Sequence, residues 1–214
     1  MFVARILYPV QVLGPGNRVG IWVSGCPRRC EGCANPELWE QKESQNISME
    51  SLLDLVAGIA DKHPIDGFTI TGGEPFFQHE ALEILLGALS KWSQDILVYS
   101  GYHRGEIESF ASLEHIAVLI DGPYIQSQNK GLTLRGSENQ TIHILKKEFE
   151  QRYHLYLQDK YSKIQNFFHR DSVISVGIHR PDYKTSLDTY TKNKGLMDGG
   201  HAHEPIHTQM AQRT

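Results

Sequence analysis

Apolar and polar positions along this chain follow two rhythms, one of period two and one near 3.6, and the two take turns. An apolar run at residues 6–10 leads into the turn signal Gly14-Pro15-Gly16. Residues 18–24 (RVGIWVS) are rich in β-formers and stop at Gly25. Leu52, Leu55, Val56 and Ile59 then recur at helical spacing behind Ser48, which reads as an N-cap. A short strand is expected at 67–71, ending at Gly72-Gly73, and a second amphipathic helix is marked by Leu82, Leu85, Leu86 and Leu89. Further on, the pattern predicts strand at 96–100, helix at 106–113, and strands at 116–121 and 141–145.

Strands alternating with helices imply βαβ units, so the expected fold is α/β with a mostly parallel sheet. Right-handed crossovers would bring the carboxyl ends of the parallel strands to one edge. Cys26, Gly72-Gly73-Glu74, Gly101-Tyr102 and Asp121-Gly122 each follow a different strand. Ligands of α/β sheets bind where strand ends meet loops, so these motifs are expected to converge. From about Lys146 the character changes. An aromatic stripe from Phe149 to Phe168 reads as helical, 172–178 as strand, and the chain from Asp182 onward as a loose polar tail. The expected organisation is therefore a core at 1–145, an extension at 146–181 and a tail at 182–214. His201, His203 and His207 lie in that tail, where flanking Gly, Ala and Pro favour solvated side chains over a metal site.

Composition narrows the partners. A net charge of -4 gives no electrostatic reason to expect nucleic acid. No apolar run is long enough to span a bilayer, and residues 1–10 lack the apolar stretch of a signal peptide, so the expected compartment is the cytoplasm.

The chain's three cysteines, Cys26, Cys30 and Cys33, fall within eight residues. An odd, tightly packed set is a poor disulfide framework. Structural zinc needs a fourth ligand from elsewhere. Soft thiolates in this number also suit a four-iron cluster with one iron left open, and an open position marks a catalytic rather than a structural metal site. An electron carrier gains nothing from an open iron. In Thr71-Gly72-Gly73-Glu74-Pro75 the glycines permit close backbone approach and the carboxylate suits an ammonium group.

The spacing C-x3-C-x2-C and the Gly-Gly-Glu turn resemble the radical S-adenosylmethionine superfamily. Tyr8-Pro9, Gly14-Pro15-Gly16, Asn35, Trp39, Gly101-Tyr102, Asp121-Gly122 and the run 134–140 (LRGSENQ) extend the likeness to one branch, the activases of anaerobic (class III) ribonucleotide reductase. The resemblance covers about residues 5–145. It implies a partial (β/α) barrel in which Cys26, Cys30 and Cys33 hold a [4Fe-4S] cluster. S-adenosyl-L-methionine would bind the fourth iron, with Gly32 and Ala34 beside it, Gly72, Gly73 and Glu74 at its methionine end, and Asp121 assisting. Arg135, Asn139 and Gln140 would order the far side of the pocket or meet the partner; as a plain reading they form a hydrogen-bonded turn. The implied reaction is reductive cleavage to a 5′-deoxyadenosyl radical that takes hydrogen from a glycine of the partner glycyl-radical enzyme, with flavodoxin or ferredoxin as electron donor. No acid–base residue is required. Chains of this branch usually end near the last core strand, whereas this one continues to Thr214. Two other readings remain open: radical chemistry on another glycyl-radical enzyme, a peptide or a small molecule, and a non-catalytic iron–sulfur protein.

Overall fold

The computed structural model describes residues 1–161, 163–169, 172–183, 185, 186 and 189. The expected polar tail and its three histidines lie largely or wholly outside these residues.

Six strands form one open sheet in sequence order: β1 (Val3–Val10), β2 (Arg18–Val23), β3 (Gly67–Gly72), β4 (Ile96–Tyr99), β5 (Val118–Asp121) and β6 (Thr141–Ile144). β2 to β5 run parallel, and β1 and β6 pair antiparallel at the two edges. The fold is thus α/β and mostly parallel, as the alternation predicts. The sheet does not close, because β1 and β6 each have a free edge in its order.

Helix α1 (Met49–Ala60) starts where Ser48 accepts the Ser51 N–H at 3.1 Å. Its Leu52, Val56 and Ile59 pack on one face of the sheet beside Leu82, Leu85, Leu86 and Leu89 of α2 (His79–Leu89). The helix expected at 106–113 is broken into α3 (Arg104–Ile107) and a 3-10 turn at Ala111–His115. Two causes act together. Glu106 accepts the His103 N–H at 2.7 Å, which moves the start earlier. Phe110 then leaves the helix to stack on Phe76 and His79.

The opposite face of the sheet is covered by the segment after β6. Helix α4 (Glu150–Tyr156) buries Tyr153 against Leu97, Val118, Ile120 and Leu134. The helical stripe expected as far as Phe168 ends at Tyr156. Ile164–His169 is instead strand β7, paired antiparallel with β8 (Ser172–Gly177). Val176, with Phe167 and Ile174, packs on Leu7, Trp22 and Leu38. Among the described residues no helix is long and apolar enough to cross a membrane.

Candidate functional site: a three-thiol loop at the carboxyl edge

β2 ends at Val23, and the chain leaves the sheet through Gly25, whose φ of 93° is left-handed and suits glycine alone. The loop that follows is pinched at its base. Gly25 N–H donates to the Leu38 carbonyl at 2.8 Å and Cys26 N–H to that of Trp39 at 2.9 Å. Inside it, Cys33 N–H donates to the Cys30 carbonyl at 3.2 Å, so a turn with Gly32 at φ 67° places those two residues together. All three thiols are free and half-buried.

Burial pushes the Cys26 thiol pKa up, against the backbone N–H groups of Arg29 and Arg28, which pull it down. Burial likewise raises Cys33, opposed by the N–H of Asn35, 3.4 Å from Sγ, and by the Trp39 indole. Cys26 also feels the charge of Glu74 and Cys30, and Cys33 that of Cys26 and Cys30, all in the raising direction. N–H dipoles aimed at sulfur stabilise thiolates and tune the potential of an iron–sulfur cluster. Among the described residues, no three His, Cys, Asp or Glu side chains are drawn together closely enough to hold one metal ion. Ligands of a single zinc ion share one coordination sphere. Cubane thiolates each hold a different iron.

The other predicted motifs arrive at the same edge. Gly73 N–H donates to the Val23 carbonyl at 2.7 Å and Glu74 N–H to that of Gly25 at 2.9 Å, so the two loops are laced backbone to backbone. A Cβ on Gly73 would lie 2.5 Å from the Gly25 oxygen, which shows what the missing side chain permits. Glu74 is buried. Its Oε1 accepts from Phe76 N–H at 3.1 Å and Ser100 O–H at 3.0 Å, and its Oε2 from Gly101 N–H at 2.7 Å. Burial raises its pKa to about 7, against the pull of those donors and of Arg28. Asp121 is buried at the end of β5. Its Oδ2 accepts the Arg104 N–H at 2.6 Å, and its Oδ1 lies 3.1 Å from His143 Nε2.

Four of the predicted residues take plainer places. Ala34 is exposed in the loop. The 134–140 run folds as the hydrogen-bonded turn: Arg135 donates to the Glu138 carbonyl at 3.3 Å, and Asn139 to that of Pro123 at 2.7 Å. Gln140 Oε1 accepts from Gly136 N–H at 2.8 Å, while its Nε2 donates to the Gly122 carbonyl at 2.9 Å.

Three residues join the site without having been singled out. The Arg28 guanidinium stacks 4.4 Å from the Tyr102 ring centroid and forks onto both Glu106 oxygens at 3.0 Å. Its position inside the cysteine spacing was a signal that could have been used. Ser100 binds Glu74, as above. Gln126 lies over Gly32, where an added Cβ would come within 2.5 Å of its carboxamide carbon. Nothing in the local sequence marks Gln126.

Fold and site together define an α/β protein with a three-cysteine loop at the carboxyl edge of its sheet, and residues 12–143 match the family model of the 4Fe-4S single cluster domain. The anaerobic ribonucleoside-triphosphate reductase-activating protein of Enterobacteria phage T4 is 33% identical over 143 residues, spanning 64% of this chain and 90% of that protein. The proteins of the same name from Vibrio cholerae and Escherichia coli are 35% and 30% identical, spanning 64% and 65% of this chain and 94% and 96% of theirs. The chain belongs to the family of anaerobic ribonucleoside-triphosphate reductase-activating proteins. No solved structure matches it.

Proposed function

We propose that this chain is the activase of an anaerobic ribonucleoside-triphosphate reductase, with Cys26, Cys30 and Cys33 as the thiolate ligands of a [4Fe-4S] cluster. The observation that carries this reading is the set of three half-buried thiols, Cys26 and Cys33 among them met by N–H dipoles, in a loop laced to the Gly-Gly-Glu turn. When bound there, the cluster and S-adenosylmethionine would supply one-electron cleavage chemistry, giving methionine and a 5′-deoxyadenosyl radical able to take a hydrogen atom from a glycine backbone of the reductase.

The chain's own residues position and exclude. The Gly25–Leu38 and Cys26–Trp39 pinch fixes where the thiol loop leaves the sheet. Gly32 and Ala34 offer backbone beside the cosubstrate, and Gly72 and Gly73 offer it at the methionine end. Both Glu74 oxygens are engaged within the protein, so in this reading the Glu74 carboxylate acts by holding its own loop and the 100–101 loop in register. Asp121 does the same for the start of α3. No proton transfer is required, because hydrogen-atom transfer to a carbon radical depends on placement. We read the open sheet as part of a (β/α) barrel, with 1–145 as the core and 146–181 as an added segment. We assign the electron donor to flavodoxin or ferredoxin and the compartment to the reducing cytoplasm.

The test is anaerobic reconstitution with iron and sulfide, reduction with dithionite and assay of 5′-deoxyadenosine, with and without the reductase. Wild type should form deoxyadenosine, and a glycyl radical should appear on the reductase; Cys30→Ala should give neither. A complete four-iron cluster that cleaves no S-adenosylmethionine would return the chain to the electron carriers.

A further inference from the structure

The family match ends at residue 143, and about two thirds of this chain suffices to span 90–96% of its relatives. The segment beyond has no role in the reading above, yet the structure connects it to the cysteine loop by two separate routes.

The first route is apolar. Val176 of β8 is buried in one apolar cluster with Leu38, Trp22 and Leu7. Leu38 is the residue whose carbonyl takes the Gly25 N–H at the base of the thiol loop. The hairpin is kept over this spot by Gln165, which accepts the Gln11 N–H at 2.9 Å and donates to the Pro9 carbonyl at 2.7 Å. The cluster that Val176 completes therefore includes the residue that closes the loop.

The second route is polar. Asn129 donates to the His179 carbonyl at 2.8 Å, Thr133 O–H donates to the Asp159 carbonyl, and Thr133 N–H donates to that of Lys160 at 3.4 Å. Leu132 and Tyr161 form an isolated antiparallel bridge. These contacts fix the 129–133 loop, which continues from the turn that carries Gln126. Gln126 in turn lies on Gly32, between Cys30 and Cys33.

We propose that residues 159–161 and 163–169 with 172–179 form a built-in clamp on the cysteine loop, gripping it from the Leu38 side through Val176 and from the Gly32 side through the 129–133 loop and Gln126. The clamp sets how firmly the loop keeps its shape and its metal; its gripping residues lie outside the family match, and the 129–133 loop and Gln126 that relay the grip lie inside it. Its bearing on metal retention rests on the reading that this loop holds a cluster; its bearing on loop shape does not.

The experiment uses the full chain with two substitutions, Val176→Asp and Asn129→Ala, and Phe168→Ser as a control on the outward side of the same hairpin, where Phe168 is 78% exposed. Hydrogen exchange of the iron-free chain reads the loop directly, and transfer of iron to a ferrous chelator reads retention after reconstitution. Both clamp variants should exchange the amides of residues 25–39 and release iron about tenfold faster than wild type, and the control should match wild type. Loop exchange and iron release unchanged in both variants would overturn the clamp. If Val176→Asp does not fold, Asn129→Ala decides alone. If wild type takes up no iron, the cluster reading fails, and exchange at 25–39 still decides for or against the clamp.

Discussion

The two ends of the parallel strands hold their buried charges in opposite ways. At the amino end, Arg18 at the start of β2 is fully buried, and so is Asp95 just before β4. Asp95 Oδ2 lies 3.2 Å from both the Arg18 and the Arg152 guanidinium, and Tyr153 O–H donates to Oδ1 at 2.6 Å. The Oδ2 contacts are ion pairs without aligned hydrogen bonds. Arg18 spends its remaining donors on Thr69 Oγ1 at 2.8 Å and on backbone carbonyls, Asp95's own among them at 2.9 Å. At the carboxyl end, Glu74 is equally buried, yet two backbone N–H groups and one hydroxyl bind its oxygens, and Arg28 acts on it only through space. Direct ion pairing fixes a charge; neutral donors leave a carboxylate able to take up a proton near neutrality. The amino end is a lock that also fastens α4 to the sheet. The carboxyl end is held by dipoles and glycine turns, which suits a loop that must receive a ligand.

The largest expected effect therefore falls at the end with no chemistry. Asp95→Ala strands Arg18 as a buried cation and should cost about 3–5 kcal/mol in urea unfolding of the iron-free chain. Cys30→Ala, in the half-buried thiol loop, should change the same curve by less than about 1 kcal/mol while abolishing cleavage. Equal destabilisation by the two would erase the contrast.

Glu74→Gln is expected to be intermediate. The amide keeps one acceptor oxygen but turns an N–H donor toward the Gly101 N–H or toward the Ser100 and Phe76 donors, costing about 1–3 kcal/mol. Its signature is in pH. The Glu74 pKa is raised from 4.5 to about 7 in the folded chain, so its contribution to stability is complete below pH 4.5 and is lost as pH rises toward 7. The total is on the order of 3 kcal/mol. Unfolding midpoints of the iron-free chain between pH 4.5 and 7 should show this decline in wild type and lack it in Glu74→Gln. A decline of the same size in the variant would assign it to other groups.

What the sequence revealed and what it hid divide along physical lines. Ser48 with the spacing of Leu52, Val56 and Ile59 announces α1, because cap and stripe are local. The cysteines and the Gly-Gly-Glu turn announce themselves because few other chemistries need those residue types at that spacing. The stripe from Phe149 to Phe168 misled because Ile164 and Phe168 also satisfy helical spacing, and only pairing with Ser172–Gly177 decides for a strand. Arg18 read as one more strand residue, since its partner Asp95 lies 77 positions away. Gln126 was illegible for the same reason: its contact with Gly32 exists only after two loops have been brought to one sheet edge.

The smallest stability effect, and the finest test of the contrast, belongs to Arg28. Its fork onto Glu106 is partly exposed, and its stacking on Tyr102 is a single cation–π contact, so Arg28→Met should cost about 1 kcal/mol or less. The same substitution removes a positive charge that pulls the Glu74 pKa down. Without it the pKa should rise further, so the decline of stability with pH continues beyond 7 before levelling. Arg28→Lys keeps the charge while losing the fork, and its decline should level near the wild-type pH. The carboxylic acid band of Glu74 in the infrared spectrum, identified by its absence in Glu74→Gln, follows the same proton without reference to unfolding. If Arg28→Met leaves that titration where it is in wild type, Arg28 does not act on Glu74. The carboxyl end would then hold its carboxylate by dipoles alone, and the difference from the Arg18–Asp95 lock would be sharper still.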